Sequence, residues 1–150
     1  PFLEEIFEQF PETYVNLEIK DNDVEMVYEV LRIIKKFNAS ERIIIGSAQF
    51  LQNRRIQHVI LDCGYYLSEV DMYLFGTLGY YGWWKKYWQK FHVVEIPLTY
   101  YGFSVYSLLK SAAEKIGLPL FVWGANDLHL IEQLKSDNVD GIITDRPDLM

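Results

Sequence analysis

The sequence predicts an α/β protein assembled from parallel βα units, and three observations carry that expectation. Short apolar, β-branched runs alternate with amphipathic helix patterns along most of the chain. Hydrophobic residues make up 50% of the 150 positions, enough for one globular domain that buries roughly 70% of its unfolded surface. The lone cysteine, Cys63, allows neither an intrachain disulfide nor a cysteine zinc cluster, so a packed core holds the chain and a reducing, intracellular compartment suits it. Six strands are expected. They fit an open doubly wound sheet or part of an eight-stranded barrel, and pattern alone leaves both open.

Phe2, Leu3, Ile6, Phe7 and Phe10 recur at helical spacing behind Pro1, so the chain is expected to begin inside a helix and to be a piece of something longer. Val15 to Lys20 is the first strand. Asp21 or Asn22 then caps a helix whose face carries Val24, Val27, Leu31 and Ile34, with Lys35 and Lys36 in its last turn. Ile43 to Ser47 is a β-branched strand, Gln49 to Ile56 a short helix, and Val59 to Cys63 a third strand. Val93 to Ile96 stops at Pro97, which has no N–H for a ladder. Ser104 caps a helix with the stripe Val105, Leu108, Leu109, Ala112, Ala113 and Ile116, ended by Gly117 and Pro119. Leu120 to Gly124 is a strand, Asn126 or Asp127 caps a helix bearing Leu128, Ile131 and Leu134, and Gly141 to Asp145 closes the set.

Composition removes several classes of function. Fourteen basic against 21 acidic residues give a net charge of -7, the wrong field for a phosphate-backbone binder, so no nucleic acid is expected as a partner. The uncharged stretch from Met72 to Trp84, like every other in the chain, falls short of the roughly 18 to 20 residues that span a bilayer. Between Tyr65 and Phe91, however, Tyr73, Phe75, Tyr80, Tyr81, Trp83, Trp84, Tyr87 and Trp88 interleave with Lys85, Lys86 and Lys90. Rings and lysine stems with polar tips suit a lipid interface, and this excursion is expected near the barrel mouth with peripheral membrane contact. A partly buried connection between strands is the alternative.

The most informative run is Val15-Asn16-Leu17-Glu18-Ile19-Lys20, where three polar residues share one face of a strand. At the carboxyl end of a barrel strand, a carboxylate there can bind a divalent cation and an ammonium two residues on can bind a phosphate oxygen. A solvated edge, or a simple Glu18–Lys20 ion pair, would show the same pattern. Trp123, just before Gly124 and Asn126, could wall a pocket or fill the core. Thr144-Asp145-Arg146-Pro147 reads as a turn with an ion pair. His58 and His92 each precede an expected strand, His129 lies in a helix, and none suits acid–base work at the carboxyl face. Cys63 reads as a small buried hydrophobe.

Pro1-Phe2-Leu3-Glu4-Glu5, Val15 to Lys20, Val122-Trp123-Gly124-Ala125-Asn126 and Gly141-Ile142-Ile143-Thr144-Asp145-Arg146-Pro147, in that order, resemble the glycerophosphodiester phosphodiesterase family. Ile45-Gly46-Ser47-Ala48-Gln49 and Val94-Glu95-Ile96-Pro97 look most like its lysophospholipase D branch. The resemblance implies an incomplete TIM (β/α) barrel: about six of eight parallel strands, with the aromatic-rich insertion at about 65–91. The first two strands, which in the family carry a His-Arg-Gly motif, a Glu-x-Asp pair and a His-Asp motif, have no counterpart.

It further implies that Glu18 is a metal ligand for Mg²⁺ or Ca²⁺, that Lys20 lies near the substrate phosphate and that Trp123 is an aromatic wall, although Gly124 and Ala125 depart from the family pattern beside it. The implied reaction is metal-assisted hydrolysis of a glycerophosphodiester or lysophospholipid, with the two histidines supplied from outside these residues and the isolated segment inactive. A noncatalytic truncated barrel that binds lipid or a protein partner is the alternative.

Overall fold

The computed structural model describes residues 1–100 and 102–150, the side chains of Tyr100 and Phe103 excepted. The chain divides into two compact units, Pro1–Asp71 and Met72–Met150.

In the first unit, α1 (Leu3–Gln9) precedes β1 (Val15–Glu18), α2 (Val24–Lys36), β2 (Ile43–Gly46), α3 (Phe50–Val59) and β3 (Gly64–Tyr65), and α4 (Glu69–Leu74) starts at its end. The strands form a parallel sheet in the order β1-β2-β3, with Val15 opposite Ile43, Glu18 opposite Gly46, and Ile44 opposite Gly64. Alternation divides the two faces. Val15, Leu17, Ile43, Ile45 and Tyr65 meet Phe7, Val27, Val30, Ile34 and Ile56 in the helix-covered core. Asn16, Glu18, Ile44, Gly46 and Gly64 lie on the other face. Arg42 locks the approach to β2, with its guanidinium 4.8 Å from the Phe7 ring and one N–H donated to the Thr13 carbonyl at 2.7 Å.

Three details differ from the sequence expectation. The cap of α2 is Asp23, which accepts the Glu25 N–H at 2.9 Å, rather than Asp21 or Asn22. Helix α3 continues to Val59, so Val59 to Cys63 is not a strand; the third strand is Gly64–Tyr65. β-branched residues at 59–60 look extended in isolation, but Val59 is still helical and Ile60, which is extended, is the residue that ends α3.

The second unit contains the rest of α4, a π-helical turn at Phe75–Gly79, α5 (Lys85–Trp88), β4 (Val94–Pro97), the hairpin β5 (Thr99–Tyr100) and β6 (Phe103–Ser104), α6 (Tyr106–Ile116), β7 (Leu120–Trp123), α7 (Leu128–Ser136) and β8 (Gly141–Ile143). Its parallel sheet runs β4-β7-β8. Val94, Ile96, Leu120 and Val122 are buried, as are Leu109, Ala112, Ala113 and Ile116 of α6 and Ile131 and Leu134 of α7. Glu95, Phe121 and Gly141 stand in register on the opposite face, followed two residues on by Pro97, Trp123 and Ile143. The hairpin was not legible in the sequence, and it takes up Ser104; α6 starts at Tyr106 with Val105 before it, so Ser104 is not the cap. Gly117 ends α6 at φ +82°, a left-handed conformation open to glycine.

The aromatic stretch is largely helical but does not rise to the strands' carboxyl ends. Helix α6 leads into β7, so its last turn lies at the amino ends of the strands, where Val94 N–H also bonds the Pro119 carbonyl at 2.9 Å. Lys115 in that turn donates to the Tyr80 carbonyl at 2.8 Å and stacks on the Tyr80 ring at 4.0 Å. The tip of the stretch therefore sits at the end of this unit away from the expected mouth, and the placement near the mouth is corrected. Tyr65, counted into the stretch from sequence, belongs to β3.

Candidate active site

Glu18 is the last residue of β1, and the chain leaves the sheet through Ile19, whose N–H bonds the Gly46 carbonyl at 2.9 Å. Lys20 follows. Its ammonium lies 3.4 Å from Glu18 Oε2, with side-chain exposures of 83% for the lysine and 41% for the glutamate. A pair this open to water contributes at most about 1 kcal/mol, so it adds little to stability and separates easily.

Side chains from the start of α3 and the loop before it set the backbone around the pair. Gln49 Nε2 donates to the Lys20 carbonyl at 3.0 Å, and buried Gln52 donates to the Asp23 carbonyl at 3.0 Å. Buried Asn53 accepts the Ser47 N–H at 3.2 Å and donates to the Tyr66 carbonyl at 3.0 Å. The loops after β1, β2 and β3 are thereby tied at one end of the sheet, with buried amides satisfying main-chain groups that would otherwise be stranded. Gly46 is needed there: a Cβ on it would come within 2.7 Å of the Tyr66 ring.

In the second unit, Trp123 ends β7 between Pro97 and Ile143 and is 45% exposed, so it is not core filling. Asn126 organises the following loops. Its Nδ2 donates to Asp145 Oδ2 at 3.0 Å, while its Oδ1 accepts Thr144 Oγ1–H at 3.1 Å and Asp145 N–H at 2.9 Å. The 144–147 segment is a turn, as expected, but Arg146 pairs with Asp148 at 2.8 Å and not with Asp145.

The structure brings Glu18 and Lys20 together in the first unit and places Trp123 at the carboxyl end of the second sheet. His58 lies in α3 rather than directly before a strand, His92 precedes β4, and His129 opens α7; all three are exposed. Glu95, half-buried on the Phe121 face of β4, was missed as a candidate. Its signal was the one that marked Glu18, an acid within an apolar strand, but without a second polar residue on the same parity. Among the described residues no group of three His, Cys, Asp or Glu side chains could hold a metal ion. The carboxylate of Glu18 suits a hard cation as one donor; the described residues do not complete its coordination.

Residues 1–149 match the glycerophosphoryl diester phosphodiesterase family. Human lysophospholipase D GDPD1 is 34% identical over 50 residues, which cover 33% of this chain and 16% of that protein. The glycerophosphodiester phosphodiesterase of Agrobacterium tumefaciens superposes with a TM-score of 0.72 at 19% identity over 99% of this chain and 60% of its own length. The Thermotoga maritima enzyme gives a TM-score of 0.63 at 23% identity over 97% of this chain and 60% of its own. The chain thus spans at most 60% of the length of these relatives. Its fold is α/β, with two three-stranded parallel sheets that fit an incomplete TIM barrel. With the family match running from the first residue to the last but one, the chain belongs to the glycerophosphoryl diester phosphodiesterase family.

Proposed function

We propose that the complete protein hydrolyses the phosphodiester bond of a glycerophosphodiester or lysophospholipid, with Glu18 as one ligand of a divalent cation, Mg²⁺ or Ca²⁺, Lys20 as a phosphate contact and Trp123 as an aromatic surface for the substrate. The observation that carries this reading is the family match over 1–149 joined to the position of Glu18 and Lys20 at the carboxyl end of β1. When bound, such a cation neutralises charge on a nonbridging phosphate oxygen. Lys20 adds a mobile positive charge on a long stem, and the weak pair with Glu18 leaves both groups able to turn to ligands. Gln49 keeps the Lys20 main chain in place while its ammonium moves.

The segment by itself is proposed to be inactive, because among the described residues no three His, Cys, Asp or Glu side chains gather to hold a metal ion and the three histidines are exposed. The lipid substrate is suggested by the human lysophospholipase D as a relative, and a lipid substrate brings peripheral membrane contact into the reading. No helix among the described residues is long and apolar enough to cross a membrane.

The test is hydrolysis of glycerophosphocholine and lysophosphatidylcholine by the complete protein, with metal binding followed by calorimetry. Glu18→Gln is expected to weaken cation affinity. Lys20→Ala is expected to slow turnover by about 2 kcal/mol in kcat/KM, the loss of a charge-assisted hydrogen bond, with cation affinity retained. Unchanged metal affinity in Glu18→Gln, or turnover by the 150-residue segment alone, would overturn these roles.

A further inference from the structure

From Met72 to Val94 the chain has no acidic residue but carries Lys85, Lys86 and Lys90, within a protein whose net charge is -7. The same stretch holds two tiers of aromatic rings. The inner tier is packed: Phe75 and Trp88 are fully buried and meet edge to face at 5.2 Å, and Tyr87 lies 4.8 Å from Trp88. The outer tier is open, with Tyr81 68%, Trp83 59% and Trp84 61% exposed. Four adjoining aromatic residues, counting Tyr80, form an exposed patch of a kind that marks an interaction surface.

The tip holding this patch is fixed from within. Gly82 N–H bonds the Gly79 carbonyl at 2.8 Å, Trp83 N–H bonds the Leu78 carbonyl at 2.9 Å, and buried Trp88 donates its indole N–H to the Trp83 carbonyl at 2.9 Å. Trp84 adopts φ +56°, in the left-handed region, and opens α5 from there. A bulky residue held in that conformation costs roughly 1 kcal/mol or more, which the surrounding bonds offset. The outer indoles are thus presented on a rigid base, so little conformational freedom is left to lose on contact.

We propose that Tyr80–Lys90 is a docking tip for a bilayer surface containing anionic phospholipid, and that it holds this unit with the carboxyl ends of its strands turned away from the membrane. The chemistry selects the occupant: indole and phenol rings favour the headgroup boundary, and exposed Lys85 and Lys86 beside them meet anionic headgroups with no carboxylate of their own segment in the way. The geometry selects the orientation. The tip adjoins the last turn of α6, and Trp123 lies at the other ends of the strands, a distance on the order of the 16 Å rise of that helix. This extends the membrane contact in the functional reading and rests on that part of it alone. It also changes the route at this unit: substrate reaches Trp123 from the aqueous side and does not slide in from the bilayer beneath.

The experiment is flotation of the complete protein with phosphatidylcholine vesicles with and without phosphatidylglycerol, alongside hydrolysis of water-soluble glycerophosphocholine. Binding is expected to the anionic vesicles. It should fall about twentyfold in the pair Lys85→Gln and Lys86→Gln, and be lost in Trp83→Ser with Trp84→Asn, a pair that respects the left-handed backbone at 84. Soluble turnover should stay at the parent level in both, so a failure of docking is read separately from a failure of the hydrolase assignment. Orientation is read with brominated phosphatidylglycerol in variants that keep one of Trp83, Trp84 or Trp123, the others replaced by Phe. Quenching of Trp83 and Trp84 with Trp123 spared supports the proposal. Equal quenching at Trp123, undiminished binding by the serine–asparagine pair, or absence of vesicle binding with a changed oligomeric state in that pair overturns it, the last showing that a second copy of the chain covers the rings.

Discussion

Cys63 and Tyr65 show how a single side chain registers its surroundings. Burial pushes the Cys63 thiol up to about 11 from an ordinary 9.0, with the Ser40 hydrogen bond opposing and the Asp62 charge adding to the rise. Burial likewise pushes the Tyr65 phenol up to about 12 from 10.0, helped by the neighbouring Cys63 and Asp62, while its hydroxyl donates to the Ile60 carbonyl. Both groups are held protonated in the folded state, so their folded values exceed the unfolded ones. Their contribution to stability is complete below those ordinary values and is lost as pH rises through about 11 and about 12. Urea midpoints measured from pH 8 upward should decline across that window, and the pair Cys63→Ala with Tyr65→Phe should flatten the decline. The reading of Cys63 as an inert buried hydrophobe agrees with its 5% exposure.

At the scale of elements, the loop between β3 and α4 depends on one buried ion pair. Asp71 is fully buried, 2.6 Å from Arg54 Nη2, and accepts the Ser68 hydroxyl at 2.7 Å. Asp71→Ala removes the carboxylate partner of the Arg54 guanidinium, which is only 22% exposed, and is expected to cost about 3 kcal/mol in urea unfolding. Sequence patterning found the elements whose partners are local. The stripe on α2 and the Gly117 stop of α6 are written within a few residues of where they act. It misplaced β3 because Gly64 and Tyr65 become a strand only by pairing with Ile44 and Ile45, some 20 residues earlier. Glu18 and Lys20 stood out through alternation over six residues. The amides of Gln49, Gln52 and Asn53 did not, since their acceptors are main-chain carbonyls that the sequence does not mark.

For the whole molecule, edges matter more than cores. Among the described residues each parallel sheet has three strands, so β1, β3, β4 and β8 each turn one side away from their own sheet's ladder. Exposed strand edges recruit further strands, and the net charge of -7 opposes that by repulsion. The 150-residue chain on its own is expected to self-associate as concentration rises, more strongly in high salt, where the repulsion is screened. Light scattering at two ionic strengths checks this, and a monodisperse monomer in both would refute it. The parallel α/β class was legible because most strand runs are followed by a helix pattern. The placement of the aromatic tip was not, since it is the meeting of Tyr80 with Lys115, 35 residues apart, that shows at which end of the strands it lies.

The division at Asp71 has an optical consequence. All four tryptophans, Trp83, Trp84, Trp88 and Trp123, fall in the unit Met72–Met150, and the unit Pro1–Asp71 has none. Indole emission is therefore a private reporter of one half of the chain, whereas far-ultraviolet dichroism sums over both. Of the four fluorophores only Trp88 is fully shielded from water, so the red shift on denaturation should be modest and should come chiefly from that ring. If the halves melt together, the two signals superimpose on one curve; if they melt apart, the emission will trace the transition of the second alone, with no label added.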